Sequence, residues 1–283
     1  MPVPHASGRF SLLSRTVPGT SWQDGVGPWP YLWIDGPDML DALRDDFGHL
    51  LTVTVVLQPG YQPPAGMKEA RLLKTHFVYD PRLPAPELSR RSFARLEECR
   101  KRARFVEVLG RAERLEFANL YRRLMDRRGL VGSYVDLPLA HFESIADLPG
   151  SVFFKVADAA GTGAMACAAQ FGDMLQVLHM ASTDEGLRWN ASYLLMAGMQ
   201  GFARDNGVKL LTGGMPDAAA SSLGTFKTRW ANDRLPVYML QIVNQPERYA
   251  ALCKDAPEGT TFFPAYRAPG FRPAATLSQL ETA

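Results

Sequence analysis

Cysteine is scarce in this chain: three residues in 283, Cys99, Cys167 and Cys253, widely spaced and without a CxxC pair. An odd, scattered set argues against a disulfide framework or a zinc site and fits a reducing interior. Long apolar runs are missing, so no helix is expected to span a bilayer. The opening MPVPHASGRFSLLSRTVPGT has no uninterrupted apolar core of the kind a secretory signal needs. Together these absences place the protein in the cytoplasm as an expectation. There is no P-loop, no Ser-His-Asp constellation and no cluster of metal ligands, so no metal is expected. A net charge of +2 gives no global pull toward nucleic acid. What remains is ordinary for a globular protein: 46% hydrophobic and 21% charged residues, enough for one large domain or two modest ones.

The charge is nonetheless uneven. From Arg90 to Arg104 the chain reads RRSFARLEECRKRAR, seven basic residues against Glu97 and Glu98. A second group, Arg122, Arg123, Arg127 and Arg128, follows. Both read as solvated helix faces; the sharper alternative is a surface for an anionic ligand such as a CoA phosphate or a tRNA backbone.

The first sixty residues are rich in Pro, Gly and Trp and read as loops, with GVGPWPYLWIDGP (25–37) the clearest stretch. A short helix is expected over Pro37–Phe47, and LLTVTVVLQP (50–59) reads as a buried strand. RLLKTHFVY (71–79) is the next strand. Ser89 is placed to cap the basic helix, with Phe93, Leu96 and Cys99 inward. FVEVL (105–109) alternates like a strand. Phe117, Leu120, Tyr121 and Leu124 give a helix over Leu115–Arg128 that Gly129 stops. Downstream, SVFFKVA, AMACAAQF and MLQVLHM read as three strands, the last two joined by a hairpin turn at Gly172-Asp173. The loop ASTDEGLRW leads to a helix from Asn190 whose apolar face carries Ala191, Leu194, Leu195, Gly198 and Phe202. VKLLT (208–212) is a strand, GGMPD (213–217) a turn, Ala218–Trp230 a helix and VYMLQIV (237–243) a last strand. The tail from Pro257 is expected to wrap the surface or fray.

Beyond Gly150 the order is therefore β-β-β-α-β-α-β. With a loop leading into the long helix, it resembles the core of the GNAT acyltransferases. The finer resemblance is to the FemAB-like branch. Those proteins carry a helix opened by Ser/Asn, a strand ending in glycines, then a short segment closed by Phe-Lys within a helix. Here the matching residues are Asn190 and Ser192, Gly213-Gly214, and SSLGTFKTRW with Phe226 and Lys227. LLKTHFVYD, the basic helix and FVEV resemble the linker between the two FemAB half-domains. The likeness runs over Arg71–Val243 and is strongest from Ala164. In place of the GNAT pyrophosphate loop stands EGLRWNAS (185–192), with Arg188 its single basic residue.

The resemblance implies an α+β fold: a GNAT-like mixed, largely antiparallel twisted sheet flanked by helices. It also implies an organisation of residues 1–110 as a reduced GNAT-like half-domain, 111–255 as the acyltransferase domain and 256–283 as a Pro-rich tail. The implied activity is N-acyl transfer from acyl-CoA, acetyl-CoA foremost, to a small-molecule or peptide amine. Aminoacyl-tRNA is the alternative donor, docked on the basic helix Arg90 to Arg104, and a noncatalytic binding module is a third reading. Acyl transfer to an amine requires bound donor phosphates, an aligned free amine and a stabilised oxyanion. The helix start at Asn190, Ala191 and Ser192, beside Arg188, is the expected phosphate site, because a helix N-terminus offers unpaired N–H groups; an ordinary N-cap is the plain alternative. By resemblance Lys227 lies at the transfer site, to orient an anionic group or stabilise the oxyanion, with Phe226 forming a pocket wall. Gly213 and Gly214 admit close approach of a ligand or serve the turn alone. Asp217 contacts the incoming amine or caps a helix. His179, which titrates in the useful range, is the candidate base; a structural strand histidine is the plain reading.

Overall fold

The computed structural model describes residues 2–4, 10–28, 30–34, 36, 38–133, 135–215, 222–254, 256 and 260–270. It is a mixed α+β protein whose twisted, mostly antiparallel sheet is flanked by helices. The chain forms two compact units, one of residues 1–75 and 236–283, the other of residues 76–235.

In the first unit, β1 (Pro2–Pro4), β2 (Ser11–Thr16) and β3 (Gln23–Val26) pair antiparallel in turn. β3 then pairs parallel with β4 (Thr52–Val56), so a crossover must join them, and α1 (Asp38–Asp45) lies within it. β4 pairs antiparallel with β11 (Asp233–Val243). Leu12, Leu40, Leu43, Phe47, Val53, Val55 and Ile242 form the core. The expectation of loops across the first sixty residues is thus corrected. Three short strands occupy this stretch, held by ladder hydrogen bonds that the Pro- and Gly-rich segments around them do not advertise.

The segment after α8 (Pro246–Leu252) is also more than a surface tail. Tyr266, in a single 3-10 turn at Ala265–Arg267, is 1% exposed and packs with Val17, Leu51 and Leu252. Its hydroxyl meets Thr52 Oγ1 at 2.7 Å and donates to Asp24 at 3.1 Å. Asp24, wholly buried, also accepts from Arg15 at 3.0 Å and from Arg267 at 2.5 Å. A buried carboxylate is tolerated because each oxygen is so partnered. Residues 271–283 lie outside the described residues.

The second unit receives the chain from β5 (Ala70–Tyr79). It continues through α2 (Arg90–Arg102), β6 (Arg104–Val108), α3 (Arg111–Arg128), α4 (Leu139–Asp147), β7 (Ser151–Asp158), β8 (Gly161–Phe171) and β9 (Met174–Ser182). A short α5 (Asp184–Arg188), α6 (Ala191–Asp205), β10 (Lys209–Met215) and α7 (Ser222–Arg229) complete it. β6, β7, β8 and β9 pair antiparallel in order, and β9 pairs parallel with β10.

Strand alternation decides what each face packs against. Val152, Phe154, Val156, Ala164, Ala166 and Ala168 face α2 and α6; Phe153, Met165 and Cys167 face α3 and α4. The alanines keep that face low, so α6 sits close. At Gly198 of α6 an added Cβ would fall 2.1 Å from the Phe105 ring. Phe93 departs from its expected inward place: it is 54% exposed, while Ser92, Leu96 and Cys99 form the buried side of α2. The helix expected over Ala218–Trp230 is present as Ser222–Arg229, and residues 216–221 lie outside the described residues.

Candidate active site

The chemistry-bearing residues gather around β9, β10 and the helices that follow them, all within the second unit. Parallel pairing of β9 with β10 is confined to Met174, Leu175 and Gln176 opposite Lys209, Leu210 and Leu211. β9 nevertheless runs on to Ser182 and β10 to Met215, so the two strands part beyond Gln176. The cause is visible in the register with β8. Cys167 faces His179 and Ala168 faces Val177, which leaves Leu178 as an extra residue. Such a bulge bends its strand and ends local pairing. Gln176, 6% exposed, marks the point of separation: its side-chain amide donates to Val177 O at 2.7 Å and reaches Leu211 O at 3.5 Å. Two parted strands turn backbone polar groups toward the opening, where water or a ligand must satisfy them.

On one side of the wedge lies β10. It was expected to stop at Thr212, yet it continues through Gly213 and Gly214 as strand. Gly213 has φ of 82°, a left-handed conformation that favours glycine. The missing side chain leaves room for Lys227 of α7, whose Nζ would lie 3.1 Å from a Cβ built there. Lys227 and Gly213 are thus brought together. Phe226, next to Lys227, packs edge-on against Tyr193 with ring centroids 5.8 Å apart. Asp217 lies outside the described residues.

On the other side, Asn190 precedes α6 with φ of 61°, and its side chain makes no capping hydrogen bond. Ala191 is buried and Ser192 half-buried. The segment expected as a loop before it contains α5. There Thr183 accepts from the Gly186 N–H at 2.9 Å, and Arg188, 75% exposed, pairs with Glu185 at 2.8 Å. Arg188 is thereby held on its own short helix. α2 buttresses this corner: the Cys99 thiol donates to Trp189 O at 3.0 Å, and Arg102 lies over the Trp189 ring at 5.0 Å while pairing with Asp158 and Glu185. Of the basic run, Arg100 is likewise paired with an acid, Glu97.

His179 sits just past the bulge and faces α3 and α4. Its Nε2 is 3.0 Å from His141 Nε2, and Tyr121 and Phe142 pack against its ring at 5.2 and 5.6 Å. Burial first, and then the His141 neighbour, push the His179 pKa down to about 4; burial also lowers His141. Both rings are neutral at pH 7, one donating to the other. One register pair further along the same face, where Met165 opposes Ala181, a cleft of about 230 Å³ opens between α3 and the sheet. Glu116, Asn119 and Arg123 line it with Thr162, Met165 and Thr183. Sequence reasoning singled out neither His141 nor this cleft. His141 lies on α4, a helix that the apolar spacing did not reveal.

No protein-family model matches the sequence, and no curated protein matches it. Solved structures do match in fold. FemX superposes with a TM-score of 0.63 at 14% identity, covering 84% of this chain and 85% of FemX. The C-terminal domain of a putative lysylphosphatidylglycerol synthetase from Agrobacterium fabrum gives 0.56 at 13% identity, covering 87% and 84%. L-PGS from Bacillus licheniformis gives 0.54 at 13% identity, covering 86% and 84%. The fold is GNAT-like. At these identities the likeness fixes the fold and leaves the chemistry to the site.

Proposed function

We propose that this chain is an acyltransferase that forms an amide at the wedge between β9 and β10. The observation that carries the reading is the parting of the two strands at the Leu178 bulge. An extended acyl donor laid in the opening takes up backbone hydrogen bonds that β10 no longer supplies. Its carbonyl lies near Gly213 and Lys227, whose ammonium offsets the negative charge that builds on oxygen as an amine attacks. The amine approaches from the α3 face, through the cleft lined by Glu116 and Arg123. His179, with a pKa near 4, is too weak a base to strip an ammonium ion; its contribution is a neutral acceptor for an amine that arrives deprotonated. Most of the rate then comes from alignment.

Acyl-CoA is the first donor in this reading, its phosphates toward Asn190, Ala191 and Ser192 with Arg188 released from Glu185. Aminoacyl-tRNA is the second. It is favoured by the likeness to FemX and to a lysylphosphatidylglycerol synthetase domain over 84–87% of this chain. The test is thermal shift with acetyl-CoA, longer acyl-CoAs and charged tRNA as separate ligands. A donor that binds only the folded state raises Tm, by about 2.7 kcal/mol of stabilisation at a hundredfold excess over Kd. No shift with any of them refutes the acyltransferase reading in favour of a noncatalytic module.

A further inference from the structure

Two arginines converge on one phenol without a carboxylate between them. Arg95 of α2 donates from Nη1 to the Tyr193 hydroxyl at 3.2 Å, and Arg229 of α7 donates from Nη1 to the same oxygen at 2.6 Å. Both guanidiniums also lie against the Tyr193 ring, 5.8 and 5.6 Å from its centroid. Elsewhere on α2, Arg100 is paired with Glu97, and Arg102 with Asp158 and Glu185. Among the described residues, neither Arg95 nor Arg229 has an acidic partner. Two like charges sharing a neutral oxygen repel, and a protein holding them there without a counter-charge leaves room for an anion. A further donor stands in the same cluster. Trp230, 2% exposed and edge-on to Tyr193 at 5.8 Å, has its Nε1 without a hydrogen-bond partner among the described residues.

The position suits a donor's charged end. Tyr193 is in the first turn of α6, which follows β9; Arg229 ends α7, which follows β10 and carries Lys227 two residues earlier. Tyr193 and Arg229 therefore belong to helices that come after the two parting strands, and Arg95 reaches them from α2. We propose that Arg95 and Arg229 clamp a phosphate ester of the donor, with Tyr193 as the fixed post that spaces their two forks. Planar guanidinium forks match phosphate oxygens bidentately, which a lysine does not. The assignment of the phosphate to the donor rests on the acyltransferase reading; the clamp itself does not.

Calorimetric titration with inorganic pyrophosphate, CoA, phosphate-free pantetheine and uncharged tRNA tests it. Wild type should bind pyrophosphate, and Arg95→Ala and Arg229→Ala should each weaken that binding at least tenfold. Arg91→Ala, at an exposed basic residue of the same helix, should leave it unchanged. Tyr193→Phe, which keeps the ring but deletes the hydroxyl that both guanidiniums donate to, should fold and also weaken pyrophosphate binding, and unchanged melting of each variant separates loss of the clamp from a general loss of structure. CoA binding that exceeds pantetheine binding only while both arginines are present assigns the phosphate to CoA. The same dependence for tRNA alone assigns it to a tRNA end. Pyrophosphate, CoA and tRNA all binding the double variant as they bind wild type would overturn the clamp, as would an equal loss in Arg91→Ala. Amide formation by the double variant at limiting donor, at the wild-type rate, would overturn the clamp and leave the acyltransferase reading. Phosphate binding that needs both arginines in a protein forming no amide would keep the clamp and remove that reading.

Discussion

Acidifying the protein from pH 7 to pH 4 asks a buried imidazole pair to accept a proton. His179 and His141 touch at 3.0 Å, and burial disfavours the charged form of both rings. Tyr121 of α3 is a phenol pushed upward by burial, and the Cys167 thiol of β8 is pushed up to about 12. A histidine whose folded pKa lies below its unfolded value binds protons more readily when unfolded. Its contribution to stability is therefore complete above the unfolded pKa and is lost as pH falls toward the folded one. For His179 the window runs from 6.5 down to about 4. At pH 4 the unfolded ring is almost fully protonated and the folded ring half so, a loss of about 3 kcal/mol from this residue. The comparison is wild type against His179→Asn, by urea unfolding at pH 7, 5.5 and 4. Asparagine can still hydrogen-bond His141 and does not titrate. The gap between the two proteins should close, or reverse, by about 3 kcal/mol over that range. Parallel losses at all three pH values would refute the buried neutral pair.

Two further substitutions test the packing. Gly198→Ala forces a methyl against the Phe105 ring, which is stacked on Phe154 at 5.4 Å, and should cost about 1–3 kcal/mol in denaturant unfolding; a neutral result would mean that α6 sits further from the sheet. Asp24→Ala leaves Arg15, Arg267 and the Tyr266 hydroxyl without their common acceptor. It should cost about 3 kcal/mol, less than the full buried-pair value because both arginines are partly exposed. Residues 260–270 should become sensitive to proteolysis, and an unchanged digestion pattern would contradict the anchoring role.

The three-strand meander β7 to β9 and the helices α3 and α6 were legible because their apolar residues alternate or recur at helical spacing with no competing signal. Elsewhere local pattern and tertiary structure disagree. Gly213-Gly214 reads as a turn, yet the strand absorbs a left-handed residue and continues, because glycine takes that conformation without the strain a side chain would bring. Phe93 has the apolarity of an inward residue, but Ser92 takes the buried side through its contact with Ser89. The resemblance named Lys227 and Gly213 without pairing them; in the fold Lys227 Nζ lies where a Cβ on Gly213 would point. The partners that sequence could not supply are those joined across long separations. His141 lies 38 residues from His179, and Tyr193 collects arginines 98 residues before it and 36 after. Spacing along the chain carries no trace of such convergence, which exists once α2, α6 and α7 have packed.

Mass-spectrometric detection of amide product from isotopically labelled acyl-CoA and aminoacyl-tRNA donors, offered with a pooled set of amines, tests the acyltransferase reading most directly. Wild type should consume one donor class and form a labelled amide. Lys227→Ala should slow that step by about a hundredfold or more, the scale of losing an oxyanion donor, while binding the donor normally. Amide formation at the wild-type rate in Lys227→Ala, or no product from wild type with either donor class, would contradict the account.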